Sequence, residues 1–365
     1  MAISDNILNI NKKSYENSPL FLGEKPGLFD TINKPHPELY RIYKDMKLRD
    51  WDENEHSFAS CNTDFKTSPK SVYDMMIRTL AWQWEADTVA ARSVIPIMAP
   101  FVTDTQLWCA FVQITASELV HSATYSEIVR GSFDNPDEVL QEILSIKASF
   151  KRLENVATIF EKAYVTSHKY ALGEVGPTQE TYNDIFMMMC ALLVLERIQF
   201  MASFAITFAI CDTGVFAPIG VNVQKICQDE LDIHVRFDKY VIRAMMETQQ
   251  GKTAFQQLKP QIQQLIDSVT EHEISWTMND LFSEGRELIG VEANDVCDWV
   301  KICSKDVYDV FGLTSPFAIP TKHNLSYLKR WIDMGASQAS PQEQRNSAYL
   351  LGGFVDDLGD EVIDF

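Results

Sequence analysis

An all-α helical bundle is the fold class that this sequence predicts, and three observations predict it. Long stretches are built from Ala, Leu, Met, Glu, Gln and Ile without turn signals. Gly and Pro number only 15 and 14 among 365 residues, few for an all-β protein of this size. The run from 185 to 210 is apolar on every side yet holds Glu196, Arg197 and Gln199 at its centre. Charge at mid-membrane is expensive, so the run reads as the central helix of a bundle and not as a membrane span. With 46% hydrophobic residues, the chain can bury a large core as one large domain or two small ones.

The elements follow in order. Residues 1 to about 40, with Pro19, Pro26, Pro35 and Pro37, read as an extended arm, and 38–48 as a short helix leading to Trp51. Acids at 52, 53 and 55 follow Trp51, which from local sequence alone reads as a surface-covering aromatic. Ser68 as cap and Pro69 at the first helical position open a helix through Ile77, Leu80, Trp84 and Ala91 toward Pro96. Asp87 lies in it, and its ordinary partner would be Arg92. The next helix, about 102–131 with Thr103 or Asp104 as cap, is broken by Asn135-Pro136-Asp137. Residues 137–171 predict one long amphipathic helix with room for a kink. Pro177-Thr178-Gln179-Glu180 opens the apolar helix, which stops at Cys211-Asp212-Thr213-Gly214. Beyond Pro218 and Gly220 another helix carries residues 228–234; further helices fill about 253–286 and 292–309, with a short piece at 324–335. From 338 onward glycines, and five acids without a base after Val355, predict a flexible acidic tail. The organisation is thus an arm over 1–50, a helical domain over 51–335 and a tail over 336–365.

Composition excludes several classes of function. Acidic residues outnumber basic ones 51 to 32, and a formal charge of −19 opposes binding to nucleic acid or to an anionic membrane. The seven cysteines form no CxxC pair and sit mostly in apolar helical context, as reduced thiols of a cytoplasmic protein do. The first residues, Met1-Ala2-Ile3-Ser4-Asp5, lack the basic and apolar regions of a signal peptide.

The chemistry concentrates on helix faces. In Ser117-Glu118-Leu119-Val120-His121-Ser122-Ala123-Thr124-Tyr125 a carboxylate, an imidazole and a phenol stand at i, i+3 and i+7, on one helix face. A single ExxH is weak evidence of metal binding. Here, however, each half of the chain supplies a carboxylate helix followed by a Glu/His helix: Asp87 then Glu118 and His121, Glu196 then Glu230 and His234. Four carboxylates and two imidazoles are the ligand set of a dinuclear site in a ferritin-like bundle. Hard oxygens with two imidazoles suit iron or manganese better than a structural zinc. The second pair is spaced i+4 instead of i+3; a one-residue π-bulge would keep His234 in place, with Asp232 on the opposite face.

From about Trp51 to its end the chain resembles the radical-generating small (beta) subunit of class I ribonucleotide reductase. The resemblance implies that Asp87, Glu118, His121, Glu196, Glu230 and His234 hold two iron ions, or manganese or a mixed Mn/Fe pair in their place. It implies that the reduced metal pair reacts with dioxygen and that Tyr125 then holds a stable radical within an apolar cage of Phe200, Phe204 and Ile226. Trp51 and Asp229 match the family's hydrogen-bonded route from the metal to the surface. Tyr349 and Glu343 match its radical-transfer pair on the tail, and 356–365 its docking peptide for the large subunit. A homodimer, a cytoplasmic location and reduction of ribonucleotides by the partner subunit are implied in the same way. Two other readings compete. One is another ferritin-like di-metal oxidase, oxygenase or iron-binding protein. The other is a helical interaction protein whose buried acids pair with Arg78, Arg92, Arg130 and Arg197.

Overall fold

At the centre of the molecule the apolar run forms two helices, α7 (Gln179–Val194) and α8 (Met201–Cys211), joined by a π turn over Leu195–Gln199. The computed structural model describes residues 18–24 and 28–332, so Tyr349, Glu343 and the expected tail lie outside the described residues. Gln179–Cys211 is the one described segment long and apolar enough to cross a membrane, and 94% of its most apolar window is buried inside the protein. Protein neighbours take up its apolar surface on all sides. These are α3 (Lys70–Met98), α6 (Ala148–Ala171), α9 (Ala217–Gln228), α10 (Val235–Glu247), α11 (Gln249–Trp276) and α12 (Ala293–Phe311). The described residues contain no strand, only two isolated bridges, Phe21 with Val102 and Leu288 with Val291.

Helix starts follow local chemistry. Asp104 Oδ1 accepts from the Leu107 N–H at 2.8 Å and caps α4 (Thr105–Ser132); Thr178 and Thr248 cap α7 and α11 in the same way. Of the two residues expected at the α4 cap, Thr103 instead donates its hydroxyl to the Pro19 carbonyl, which ties the arm to the bundle. The arm is anchored further by the buried Leu20 and Phe21 and by α1 (Pro37–Leu48), which packs on α4.

Four local expectations are corrected. A short helix, α2 (Cys61–Thr67), precedes the expected one, and α3 begins at Lys70 without a side-chain cap from Ser68. Pro96 does not stop α3, which ends at Met98; the missing N–H falls in the last turn, opposite the exposed Arg92. The single helix expected over 137–171 is two, α5 (Pro136–Leu144) and α6, because Ser145 turns back on its own backbone. Its hydroxyl and N–H both bond to the Glu142 carbonyl, at 2.6 and 3.0 Å. The helix expected to reach 286 gives way after Trp276 to a π turn over Thr277–Leu281, and the last described helix is α13 (Leu328–Ile332).

Gly251 stands where α11 leaves the cap of Thr248, and a methyl group there would lie 1.8 Å from the Met245 carbonyl oxygen. Backbone must move to admit it. Gly251→Ala is therefore expected to lower stability by about 2–3 kcal/mol, read as a shift of the urea midpoint; an unchanged midpoint would mean that the connection has slack.

Candidate metal centre

Four elements aim the expected ligands at one point in the core. Asp87 comes from α3, Glu118 and His121 from α4, and Glu196 from the π turn after α7. Glu230 and His234 come from a second π turn, Asp229–His234, between α9 and α10. This turn resolves the unusual spacing: the wider turn keeps Glu230 and His234 directed to the same side although four positions separate them. Asp232 points away, to an ion pair with Arg49 at 2.6 Å.

The six residues, all buried, fall into two groups that share two members. The ligand atoms of Asp87, Glu118, His121 and Glu230 lie within 4.8 Å of one another, and so do those of Glu118, Glu196, Glu230 and His234. The shared carboxylates divide their oxygens. Glu118 turns Oε2 toward His121 Nδ1 (3.5 Å) and Oε1 toward His234 Nδ1 (3.2 Å). Glu230 turns Oε1 toward His121 Nδ1 (2.9 Å) and Oε2 toward His234 Nδ1 (2.7 Å). One oxygen to each side is the geometry of a carboxylate bridging two cations.

The donor set fits such a pair of ions. Both oxygens of Asp87 and of Glu118, one each of Glu196 and Glu230, and His121 Nδ1 are buried without a hydrogen-bond partner. Carboxylates left in that condition need a cation. Among the described residues no arginine supplies it, since Arg130 pairs with Glu127 and Arg197 with Asp306; only the imidazoles of His121 and His234 offset part of the charge. Neither Arg78 nor Arg92 forms an ion pair with the six among the described residues. The chain thus holds a candidate dinuclear metal centre, and Asp87 has no bond to Arg92.

The imidazoles are oriented from outside. His121 Nε2 lies 3.2 Å from Asp229 Oδ2, and the same oxygen accepts the Trp51 indole N–H at 3.0 Å. His234 Nε2 lies 3.1 Å from the Ser117 hydroxyl. Each ring thereby directs Nδ1 inward, the atom that would face a metal. Trp51 is only 8% exposed and its ring lies 6.0 Å from that of His121, so the surface reading of this residue is overturned. Its partner is 178 positions away, beyond the reach of local pattern.

Charge state follows from the crowding. Burial pushes Asp87 and Glu196 well above the usual carboxylate range, and neighbouring carboxylates add to it. Burial would lower His121 and His234; the facing carboxyl groups of Asp229, Glu118 and Glu230 outweigh it and hold both well above the usual histidine range. Glu230 goes the other way: burial would raise it, but His234 and His121 hold it well below. Tyr125 is buried with its hydroxyl unbonded, and desolvation followed by the charge of Asp87 lifts its pKa far above that of a free phenol. Phe200, Phe204 and Ile226 are fully buried, the two phenylalanine rings stacked at 5.5 Å.

Sequence reasoning missed two residues. Ser117 adjoins Glu118 and carried no signal of its own. Asp238, buried on α10, has an oxygen without a partner, and its carboxyl is raised by burial. Its i+4 spacing from His234 would have placed it on the ligand face.

Comparison with known proteins gives the family and the fold. Residues 29–324 match the family model described as ribonucleotide reductase, small chain. The ribonucleoside-diphosphate reductase subunit beta of Enterobacteria phage T4 is 21% identical over 98% of this chain and 97% of its own length. The ribonucleoside-diphosphate reductase 1 subunit beta of Escherichia coli O157:H7 is 22% identical over 92% of each. Among solved structures, the ribonucleotide reductase R2 subunit from Clostridium botulinum superposes with a TM-score of 0.75 at 17% identity, over 86% of this chain and 94% of that one. The dimanganese(II)-NrdF of Streptococcus sanguinis gives a TM-score of 0.64 at 15% identity, over 83% and 96%.

Because Asp87, Glu196, His121 and His234 all hold their protons to higher pH than usual, an incoming divalent ion must displace them. Metal uptake by the apo-protein is expected to release on the order of one proton or more per ion and to weaken as pH falls. Calorimetry in buffers of different ionisation heat reads this directly; a binding heat independent of buffer would contradict it.

Proposed function

The chain belongs to the family of ribonucleotide reductase small chains, and from that premise we propose that it generates a tyrosyl radical on Tyr125 and exports it to a large subunit that reduces ribonucleoside diphosphates. The observation that carries this reading is a buried phenol beside Asp87, next to two groups of candidate ligands that share Glu118 and Glu230. In this reading Asp87, Glu118, His121, Glu196, Glu230 and His234 hold two iron ions, which when bound supply the oxidising power of dioxygen. A manganese pair is the second reading, favoured by the likeness to a dimanganese protein of the same fold.

The chain's own residues would do the rest. Apolar burial of Tyr125 would keep water and reductants from the phenoxyl, and the neighbouring Asp87 is the group nearest to take up its proton. Asp229 accepts from both Trp51 and His121, and so offers a hydrogen-bonded route from the metal centre to a cleft of about 200 Å³ lined by Met46, Arg49, Asp50, Trp51, Gln113 and Ser117. The arm over 1–50 and the bundle over 51–335 would carry this machinery. The tail over 336–365 would bring Tyr349, with Glu343, to the large subunit and dock there through its acidic end. Assembly as a homodimer in the cytoplasm completes the reading.

Electron paramagnetic resonance on protein loaded with ferrous iron and exposed to air is expected to show a sharp organic radical that Tyr125→Phe abolishes while metal content is kept. Bound iron with no radical would refute the Tyr125 assignment and favour manganese. Tyr349→Phe is expected to keep the radical and to lose turnover with the large subunit by at least about 100-fold.

A further inference from the structure

Outside the ligand set a buried ion pair of the core sits against the turn that carries Glu196. Arg152 of α6 is 2% exposed. Its guanidinium lies between two indoles, 3.5 Å from the ring centre of Trp82 and 3.6 Å from that of Trp276. Glu273 takes it in a fork, Nε at 2.7 Å and Nη2 at 2.5 Å. Nη2 also donates at 3.0 Å to the backbone carbonyl of Gln199, the last residue of the π turn. The Trp82 indole N–H donates to that same carbonyl at 3.0 Å, and the Gln199 side chain returns a bond to the Arg152 carbonyl at 2.7 Å.

Stability alone gives no reason for such an arrangement, since a buried ion pair is often matched or bettered by apolar side chains of similar volume. Direction does. The two indoles hold the guanidinium plane, Glu273 sets its rotation, and the second N–H of Nη2 is thereby aimed at the Gln199 carbonyl, while Nη1 stays buried without a partner. Trp82 lies five positions before Asp87 on α3, so one carbonyl is fixed by the helix of one ligand and by a cation anchored on α11.

We propose that Arg152, acting with Trp82, is a positioning residue of the metal centre: by fixing the Gln199 carbonyl it fixes the π turn, and so sets where the Glu196 carboxylate enters the group formed with Glu118, Glu230 and His234. The inference rests on the reading of Glu196 as a metal ligand.

Paired variants test it. Trp82→Phe keeps an aromatic face and removes the N–H to Gln199. Trp276→Phe removes a similar volume and no bond to that carbonyl. Arg152→Lys keeps the charge but loses the fork, and serves as a second, independent probe. Cobalt(II) is titrated into each apo-protein, with visible absorption reporting coordination and circular dichroism confirming the fold; Glu196→Ala provides the reference for loss of that ligand. Trp82→Phe and Arg152→Lys are expected to bind one ion as the parent does and the other about tenfold more weakly, with an altered spectrum. Trp276→Phe is expected to stay within about threefold of the parent on both ions. If the folded Trp82→Phe and Arg152→Lys proteins match Trp276→Phe while Glu196→Ala loses an ion, the positioning role is overturned and the ligand reading stands. If Glu196→Ala binds both ions unchanged, both fall together.

Discussion

Everything in this fold answers to one electrostatic demand: four carboxylates and two imidazoles meet in an apolar core from which water is excluded. Buried charge of that size needs a partner, and among the described residues only the two imidazoles, and no lysine or arginine, stand against it. A pair of divalent ions would meet the demand, since Glu118 and Glu230 each turn one oxygen toward either group of candidate ligands. The depth of the bundle follows from it as well. Apolar helices on every side of α7 and α8 keep the dielectric low, which strengthens the hold on cations and raises the cost of leaving the site half filled.

Regular helices alone do not bring these side chains together. Both Glu196 and the Glu230/His234 pair sit on π turns, where the helix widens and side chains advance by less than the usual angle per residue. Such turns give up regular hydrogen bonding, so their surroundings must supply it. At the first turn Trp82 and Arg152 bond to the Gln199 carbonyl. At the second, the side chains of Asp229 and Asp232 tie the turn instead to Trp51 and His121 and to Arg49, without reaching its backbone. Local irregularity at the ligands is thus bound up with long-range contacts, and the arm becomes part of the centre's support.

Much of this was legible in the sequence because each ligand sits in a short helical pattern that reads locally. The ExxH of Glu118 and His121, the charged centre of the apolar run, and even the π turn demanded by the spacing of Glu230 and His234 needed no tertiary information. Ser117 and the Arg152–Glu273 pair carried no such pattern, because their roles are set by neighbours on other helices, while Asp238 was legible only through its i+4 spacing from His234. Trp51 is the sharpest case. Three nearby acids suggested the surface, and a single distant carboxylate placed it inside. The break at Ser145 was hidden for a different reason: a hydroxyl competing for its own helix's carbonyl leaves the apolar periodicity on either side intact.

A single oxygen, Asp229 Oδ2, receives both the Trp51 indole and the His121 imidazole. Two donors that share one acceptor cannot be altered separately. Whatever draws electron density from the imidazole makes the carboxylate a poorer acceptor for the indole, and whatever changes the indole returns to the imidazole with equal free energy. The cleft beside Trp51 and the interior of the bundle are therefore reciprocally linked through one atom, so that a surface event at the indole is felt in the core and a core event is legible at the surface.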